Sequence, residues 1–229
     1  MNSYVYSTNS SSVKYKWIIQ DLILFTIFLV PGLTFFKTTG DLTVYFRHKV
    51  LDGQFLYVVS KFLGLYALIF LWLQVLKGLL GEYGDRFLGT QRSFTFHRNL
   101  GLWIISLFMS HAVLFVWAVS IRNNHFASGL LIPHFLGSYY PSILSLGLIA
   151  SWLMILSTIF AALRQHLPGI WKWGHRLSVP SFFLVLFHSY FTGSETRAGA
   201  MVPIYYWMFA TVVFAICYRL WKTVIKLQK

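Results

Sequence analysis

Acidic residues are scarce in this chain of 229 residues, which has 6 Asp and Glu against 19 Lys and Arg. Charged residues of both signs make up 11% of the sequence, whereas a soluble domain of similar size carries about 25%. Hydrophobic residues make up 57% and aromatic residues 19%, and the mean hydropathy is +0.63. This composition excludes a soluble protein and predicts an integral membrane protein.

Cysteine is almost absent. Cys217 is the only one, so the chain can form no internal disulfide and no thiolate metal cage. The net charge of +13 would suit a nucleic-acid-binding protein, but the Lys and Arg residues lie scattered between apolar runs. Positive charge in the short loops of a membrane protein records its topology. We therefore predict membrane lipid as a partner, and no nucleic acid.

Six apolar stretches are long enough to cross the hydrocarbon core of a bilayer, which takes about 20 helical residues. They are continuously apolar, whereas the strands of a membrane barrel alternate in polarity. The predicted spans are Trp17–Phe36, Leu56–Leu80, His97–Ile121, Pro141–Leu163, Trp173–Phe191 and Ala200–Trp221. The sequence therefore predicts an all-α, polytopic protein with a six-helix transmembrane bundle as one domain over 17–221. A cytoplasmic N-terminal tail over 1–16 and a basic cytoplasmic tail over 222–229 flank this domain.

The distribution of Lys and Arg predicts the orientation. The loops and tails on one predicted side hold 13 of the 19 basic residues, and those on the other side hold 6. The richer side is expected to be cytoplasmic, which places both termini inside, in a bacterial inner membrane. No Gly-rich phosphate loop is present, and we expect no nucleotide-binding domain after Lys229.

Four histidines lie inside predicted spans, where ionisable residues are costly and are functional candidates. His97 and His111 lie in span three, and His175 and His188 lie in span five. Both spans run outward, so His97 and His175 share the inner depth, and the other two lie roughly 20 Å further out. Neutral imidazoles paired at one depth are the ligands of a six-coordinate haem iron. Zinc needs three or four clustered ligands, which this spacing does not provide.

The spacing within span five raises a problem of rotation. The 14 residues from His97 to His111 place both on one helix face, within about 40°. The 13 residues from His175 to His188 leave a mismatch of about 140°. Pro180 lies between them, and proline kinks a helix. We therefore expect a distortion near Pro180 that turns His188 toward the side of His175.

Two motifs carry a family resemblance. Span three has H-x13-H within HRNLGLWIISLFMSH, and span five has H-x12-H after the Trp-rich lead-in GIWKWGHRL. These motifs resemble the ferric reductase-like transmembrane domain, the membrane part of ferric reductases and NADPH oxidases. The sequence R/H-x-x-L-G-L-W followed by a His is closer to the haem-binding membrane subunit of the bacterial periplasmic methionine sulfoxide reductase system. That subunit has no His at the position of His97, so this chain departs from it.

The resemblance implies two b haems. His97 with His175 would ligate the inner haem, and His111 with His188 the outer one. Gly101, one turn after His97, would let a porphyrin approach the backbone, although glycine is also common at contacts between membrane helices.

Haem propionates need cationic partners near the membrane surface. Arg98 and Arg176 directly follow the inner ligands and are the inner candidates. Arg197, Arg122 and Lys61 are the outer candidates. The alternative for each is an arginine or lysine that extends to lipid headgroups.

The resulting prediction is a di-haem b cytochrome, an oxidoreductase subunit of the ferric reductase type. A separate flavoprotein or quinol would supply electrons at the cytoplasmic side, and a ferric chelate, dioxygen or a partner reductase would accept them outside. Three alternatives stay open: a single-haem subunit of a methionine sulfoxide reductase system, a quinol-linked cytochrome of the b561 type, and a non-redox membrane scaffold.

Four further polar residues have more than one interpretation. Asp21 and Gln74 lie in spans one and two, where they would hydrogen-bond between helices, relay protons or bind a quinone. His125 and His134 lie in the loop between spans three and four, as solvent-facing side chains or as ligands of a metal substrate.

Overall fold

The computed structural model describes residues 10–46, 52–136, 138–193, 196 and 201–228, with the backbone alone over 10–24. Across this part the chain is helical and contains no strand, which confirms the predicted all-α class. The α-helices found there are α1 (Ser10–Thr39), α2 (Gln54–Leu79), α3 (Gly81–Leu88), α4 (Thr90–Asn123), α5 (Tyr139–Ala162), α6 (Trp171–His175), α7 (Ser178–Thr192) and α8 (Met201–Leu227).

Four of these helices are long and apolar enough to cross a membrane, namely α2, α4, α5 and α8. They correspond to predicted spans two, three, four and six. In α1 the apolar stretch with described side chains is Phe25–Thr39, and α7 has 15 residues. A helix of that length reaches about 22 Å, short of the roughly 30 Å hydrocarbon core. The described residues thus establish four spanning candidates, and the count of six is not confirmed.

Two predicted boundaries differ in the structure. Helix α1 begins at Ser10, inside the predicted N-terminal tail over 1–16. Helix α8 continues to Leu227, through most of the predicted basic tail over 222–229. Both helices extend because no proline or glycine interrupts the chain at these points, so the helical hydrogen bonding continues past the apolar stretch.

Predicted span five, Trp173–Phe191, is not one helix. Helices α6 and α7 are separated by a turn at Arg176 and Leu177. In this turn the Val179 N–H donates to the Arg176 carbonyl at 3.0 Å, three residues back instead of four. Pro180 follows as the third residue of α7, where its missing N–H removes no helical hydrogen bond. The expected distortion is therefore present immediately before Pro180.

Helix α2 forms the centre of the packing, with α4 along its length and α7 and α8 against its other sides. Its buried apolar side chains are Val58, Leu65, Ala67, Leu68, Ile69, Leu71, Trp72 and Val75. The Trp72 indole N–H donates to the Thr211 hydroxyl of α8 at 2.9 Å, which satisfies a buried donor. Helix α5 packs in the same way against α6 and α7. The described bundle therefore contains two closely packed antiparallel sets, α2 with α4 and α5 with α6 and α7, and α1 and α8 also pack against α2.

The outward surface of α4 is strongly apolar. Leu102, Trp103, Val113 and Trp117 all expose more than half of their surface. A continuous apolar surface of this kind on a soluble protein would mark an interface. On a helix that is long enough to span a bilayer, such a surface is suited to contact with lipid.

Glycine is required where α2 begins. Gly53 has a φ of +77°, and a Cβ there would lie 2.5 Å from the Ala118 carbonyl oxygen of α4. Gly40 has a φ of +74° with open space around its Cβ position. Gly40→Ala therefore measures the backbone strain alone, about 1–2 kcal/mol. We expect Gly53→Ala to lower the midpoint of thermal unfolding in detergent further than Gly40→Ala does. Equal shifts would contradict this close approach of α2 and α4.

An ion pair joins α3 to α8. The Lys222 ammonium donates to the Glu82 carboxylate, and this bond holds the pKa of Glu82 below its ordinary value. Because the folded pKa is the lower one, the contact stabilises the fold at neutral pH and is lost as the pH falls through that pKa. We expect an NMR titration of the Glu82 carboxyl to give a lower pKa in the wild type than in Lys222→Met. The same pKa in both proteins would show that no such bond forms.

Candidate functional site

The first pair of intramembrane histidines is close together. The rings of His97 in α4 and His175 at the end of α6 have centroids 6.0 Å apart and planes at 86°. Both side chains are partly buried. The structure thus juxtaposes two residues that the sequence places 78 positions apart.

The second pair lies further along the same helices. His111 follows His97 on the continuous helix α4, and His188 lies on α7. The two side chains are close enough to interact electrostatically. Fourteen residues of α4 separate the two pairs by roughly 20 Å, as the helical rise requires.

Backbone carbonyls of the facing helices bind three of the four imidazoles. The Nδ1 atoms of His111, His175 and His188 lie 2.8, 3.3 and 2.9 Å from the carbonyl oxygens of Ser60, Ser157 and Ile143. Because a carbonyl only accepts, each of these Nδ1 atoms carries the hydrogen. Nε2 is then the atom with the lone pair. A histidine that ligates a metal has the same arrangement, because the hydrogen bond of its other ring nitrogen fixes the orientation of the ring.

The Nε2 atoms have no hydrogen-bond partner among the described residues. None of them is among the fully enclosed unpaired atoms of that part of the chain, so each retains surface that a ligand can reach. In His111, His175 and His188, Nε2 therefore keeps a lone pair that no hydrogen bond uses.

Two serines complete the histidine contacts. The Ser60 hydroxyl donates to the His111 carbonyl at 2.9 Å, and the Ser157 hydroxyl donates to the His175 carbonyl at 2.8 Å. In each case the serine and the histidine exchange two hydrogen bonds between facing helices. The same arrangement thus occurs once in each antiparallel helix pair.

Two glycines make room for the rings. A Cβ on Gly64 would lie 2.8 Å from Nδ1 of His111, and a Cβ on Gly147 would lie 2.7 Å from Nδ1 of His188. Each glycine follows by four residues the one whose carbonyl binds that histidine, Ser60 or Ile143. One helical turn thus supplies both the acceptor and the space for the imidazole.

His97 differs from the other three. The Gln74 amide nitrogen donates to the His97 backbone carbonyl at 2.9 Å, which confirms Gln74 as a residue that hydrogen-bonds between helices. Within the described residues, Nδ1 of His97 and Oε1 of Gln74 are both buried and have no hydrogen-bond partner. Gly101 faces this amide, since a Cβ there would lie 3.2 Å from Nε2 of Gln74.

The predicted cations lie at the ends of the helices. Arg98 is exposed near the start of α4, and Arg176 is exposed with its guanidinium 4.7 Å from the centre of the Trp173 ring. Arg197 and the side chain of Asp21 lie outside the described residues.

Arg122 and Lys61 meet at one aromatic ring. Both place their cationic groups 5.8 Å from the centre of the Tyr57 ring, and Arg122 also donates to Gln54 at 2.7 Å. A cavity of about 210 Å³ adjoins them, lined by Tyr57, Phe115, Ala118, Val119, Arg122, Leu130, Tyr140 and Leu144. Because Phe115 also stacks on His111, this cavity lies next to the second pair.

No group of three or more His, Cys, Asp or Glu side chains lies together in the described part of the chain. The four intramembrane histidines thus form pairs. His125 and His134 are exposed, and the His125 ring bonds to the nearby Asn123 carbonyl at 2.9 Å.

Sequence analysis missed the groups that hold the histidines. Ser60, Ser157, Gly64 and Gly147 were not singled out, although each lies in a span that packs beside a histidine-bearing helix. The sequence did contain a signal for one of them. In two antiparallel helices that pack along their length, the residue numbers of facing positions add up to a constant. The pairs Ser60 with His111 and Gln74 with His97 have the same sum.

The described residues form an α-helical bundle with four helices that could span a membrane and with two pairs of histidines. Comparison of the chain with family models, with curated proteins and with solved structures finds no match. The ferric reductase-like resemblance therefore stays a prediction that depends on the motifs alone.

Gly64 and Gly78 provide a matched test of the ring contact. Both lie on α2, but a Cβ on Gly64 would strike the His111 ring, whereas one on Gly78 would meet nothing within 4 Å. We expect Gly64→Ala to displace His111 from the Ser60 carbonyl and to destabilise the fold by about 1–3 kcal/mol. Gly78→Ala should be neutral or slightly stabilising. Thermal unfolding in detergent measures both, and a neutral Gly64→Ala would contradict the contact.

Proposed function

We propose that this protein is a di-haem b membrane cytochrome of the ferric reductase type. It passes electrons from a flavoprotein or quinol at the cytoplasmic side to an acceptor at the outer face. The candidate acceptors are a ferric chelate, dioxygen and a partner reductase. In this proposal both termini are cytoplasmic, and α1 and α6 with α7 complete a six-helix bundle in a bacterial inner membrane.

The observation that carries the proposal is the hydrogen bonding of the imidazoles. Three of them donate Nδ1–H to a backbone carbonyl and leave Nε2 unpaired within the described residues. A histidine that only joined two helices would gain by pairing both nitrogens in the apolar interior. An unpaired Nε2 on a ring with a fixed orientation suits an axial ligand of iron.

The ring separation is compatible with both histidines holding one iron. A metal ~2 Å from one nitrogen of each ring would separate the ring centroids by roughly 6 Å. The rings of His97 and His175 are 6.0 Å apart. The residues present therefore fit a haem that His97 and His175 would hold, with Arg98 and Arg176 as the proposed partners of its propionates.

When bound, haem b supplies the one-electron redox chemistry. The chain's own residues hold the ligands and exclude water. Ser60 and Ser157 fix the facing helices at the histidines, and Gly64 and Gly147 let the helices approach closely. Helix α4 keeps the two pairs at a fixed separation, because it carries one ligand of each without a break.

The charged groups fit propionate binding and docking of anionic partners at the surface. Arg98 and Arg176 are the proposed cations at the first pair, and Arg122 and Lys61 those at the second, with Arg197 as a further outer candidate. The cavity beside Phe115 is open to an acceptor or to the edge of the outer haem. Gly101 is proposed to give close backbone approach at the first pair.

A second candidate function is a cytochrome with a single haem at His111 and His188. The lone Nδ1 of His97 favours it, because this ligand has no acceptor in the described residues that would fix its ring. The first pair would then serve helix packing.

Haem content separates these functions. A pyridine haemochrome assay of the purified protein should give two b haems per chain. We expect His97→Ala or His175→Ala to remove one haem, and His111→Ala or His188→Ala to remove the other, with distinct losses in the reduced-minus-oxidised spectrum. His166→Ala is the matched control in an exposed loop and should retain both. One haem in the wild type that is lost in His111→Ala and His188→Ala and retained in the other two variants would favour the second candidate. Loss of the same single haem in all four variants would contradict the pairing by depth, and a wild type without haem would exclude both candidates.

A further inference from the structure

Helices α2 and α4 place a polar residue of α2 opposite each histidine of α4. Ser60 lies opposite His111, and Gln74 lies opposite His97, with 14 residues between the members on each helix. In both places the α2 side chain donates to the backbone carbonyl of the histidine. Gln74 thus occupies for His97 the position that Ser60 occupies for His111.

The two positions differ at the ring nitrogen. Nδ1 of His111 bonds to the Ser60 backbone carbonyl at 2.8 Å. Nδ1 of His97 has no partner among the described residues and is buried, and so is Oε1 of Gln74. Buried polar atoms without partners are rare because each costs free energy, and here two occur on residues already in contact.

The two unpaired atoms are complementary. The His97 carbonyl can only accept, so the group of Gln74 that faces it is the amide nitrogen, and the amide oxygen is left as an acceptor. If Nε2 of His97 binds iron, Nδ1 must carry a hydrogen and becomes a donor. Gly101 leaves the space in which the Gln74 amide lies, since a Cβ there would be 3.2 Å from Nε2 of Gln74.

We propose that Gln74 is the positioning residue of His97, with its Oε1 accepting the Nδ1–H of His97 directly or through one buried water. This inference rests on the proposed function. The acceptor for His97 is then a side chain, whereas Nδ1 of each of the other three histidines bonds to a backbone carbonyl. Serine hydroxyls also lie 3.0 and 3.3 Å from Nδ1 of His111 and His175.

The test is a potentiometric titration of the wild type and two variants. Gln74→Met keeps the length of the side chain and removes the acceptor, so the imidazole becomes a less basic ligand and stabilises ferric iron less. We expect the midpoint potential of the haem at His97 and His175 to rise. The haem at His111 and His188 in the same molecule is the internal control and should keep its potential.

Gln74→Glu is the rescue variant. It keeps an acceptor oxygen whether or not it is ionised, so the potential of the first haem should equal the wild-type value or lie below it. An unchanged potential in Gln74→Met, or the same rise in both variants, would overturn the assignment of Gln74.

A measurement on haem-free protein keeps this inference separate from the proposed function. Ring ¹⁵N NMR should show a change in the His97 Nδ1 signal in Gln74→Met and none in that of His111. If the wild type binds no haem, the proposed function fails, while this spectrum still reports on the contact. An unchanged His97 signal would show that Gln74 does not hold the ring.

Discussion

An imidazole in the apolar interior of a helix bundle has one nitrogen that must donate and one that keeps a lone pair. The donor needs an acceptor, and almost every polar group nearby is a helical carbonyl that already accepts from its own helix. The second lone pair of such a carbonyl oxygen can accept from an imidazole of a neighbouring helix, provided that the two helices approach closely. Gly64 and Gly147 provide that approach, and a methyl group at either position would occupy the place of a histidine ring.

This requirement also explains the shape of the second helix pair. On α4, 14 residues bring His97 and His111 to one face, so a continuous helix suffices. On an ideal helix the 13 residues from His175 to His188 would not, but here the turn at Arg176 and Leu177 interrupts the helix between them. Both histidines bind α5, at Ser157 and at Ile143. The interrupted fifth apolar stretch thus presents both histidines to the same helix.

The sequence predicts those features that depend on residue type and spacing. Composition identifies the membrane class, apolar length finds the four spanning helices, and matched spacing singles out the four histidines. The position of the distortion follows from Pro180 and from the rotational mismatch. The backbone carbonyls that accept from the imidazoles could not be predicted, because every residue has a carbonyl. Nothing in the identity of Ile143 marks it as the partner of His188. Apolar length alone does not show that span five is divided into two helices, because it does not register a turn of two residues.

The unpaired atoms bear on whether the histidines are structural or functional. Pairing of both ring nitrogens would stabilise a membrane scaffold, and serines opposite two of the rings show that the interface admits polar partners. Within the described residues, however, the serines bond to backbone carbonyls and to the Nδ1 side of the rings, and every Nε2 is left without a hydrogen bond. In the proposed function, a metal centre held between the rings would use these lone pairs, whereas helix packing alone leaves them unused.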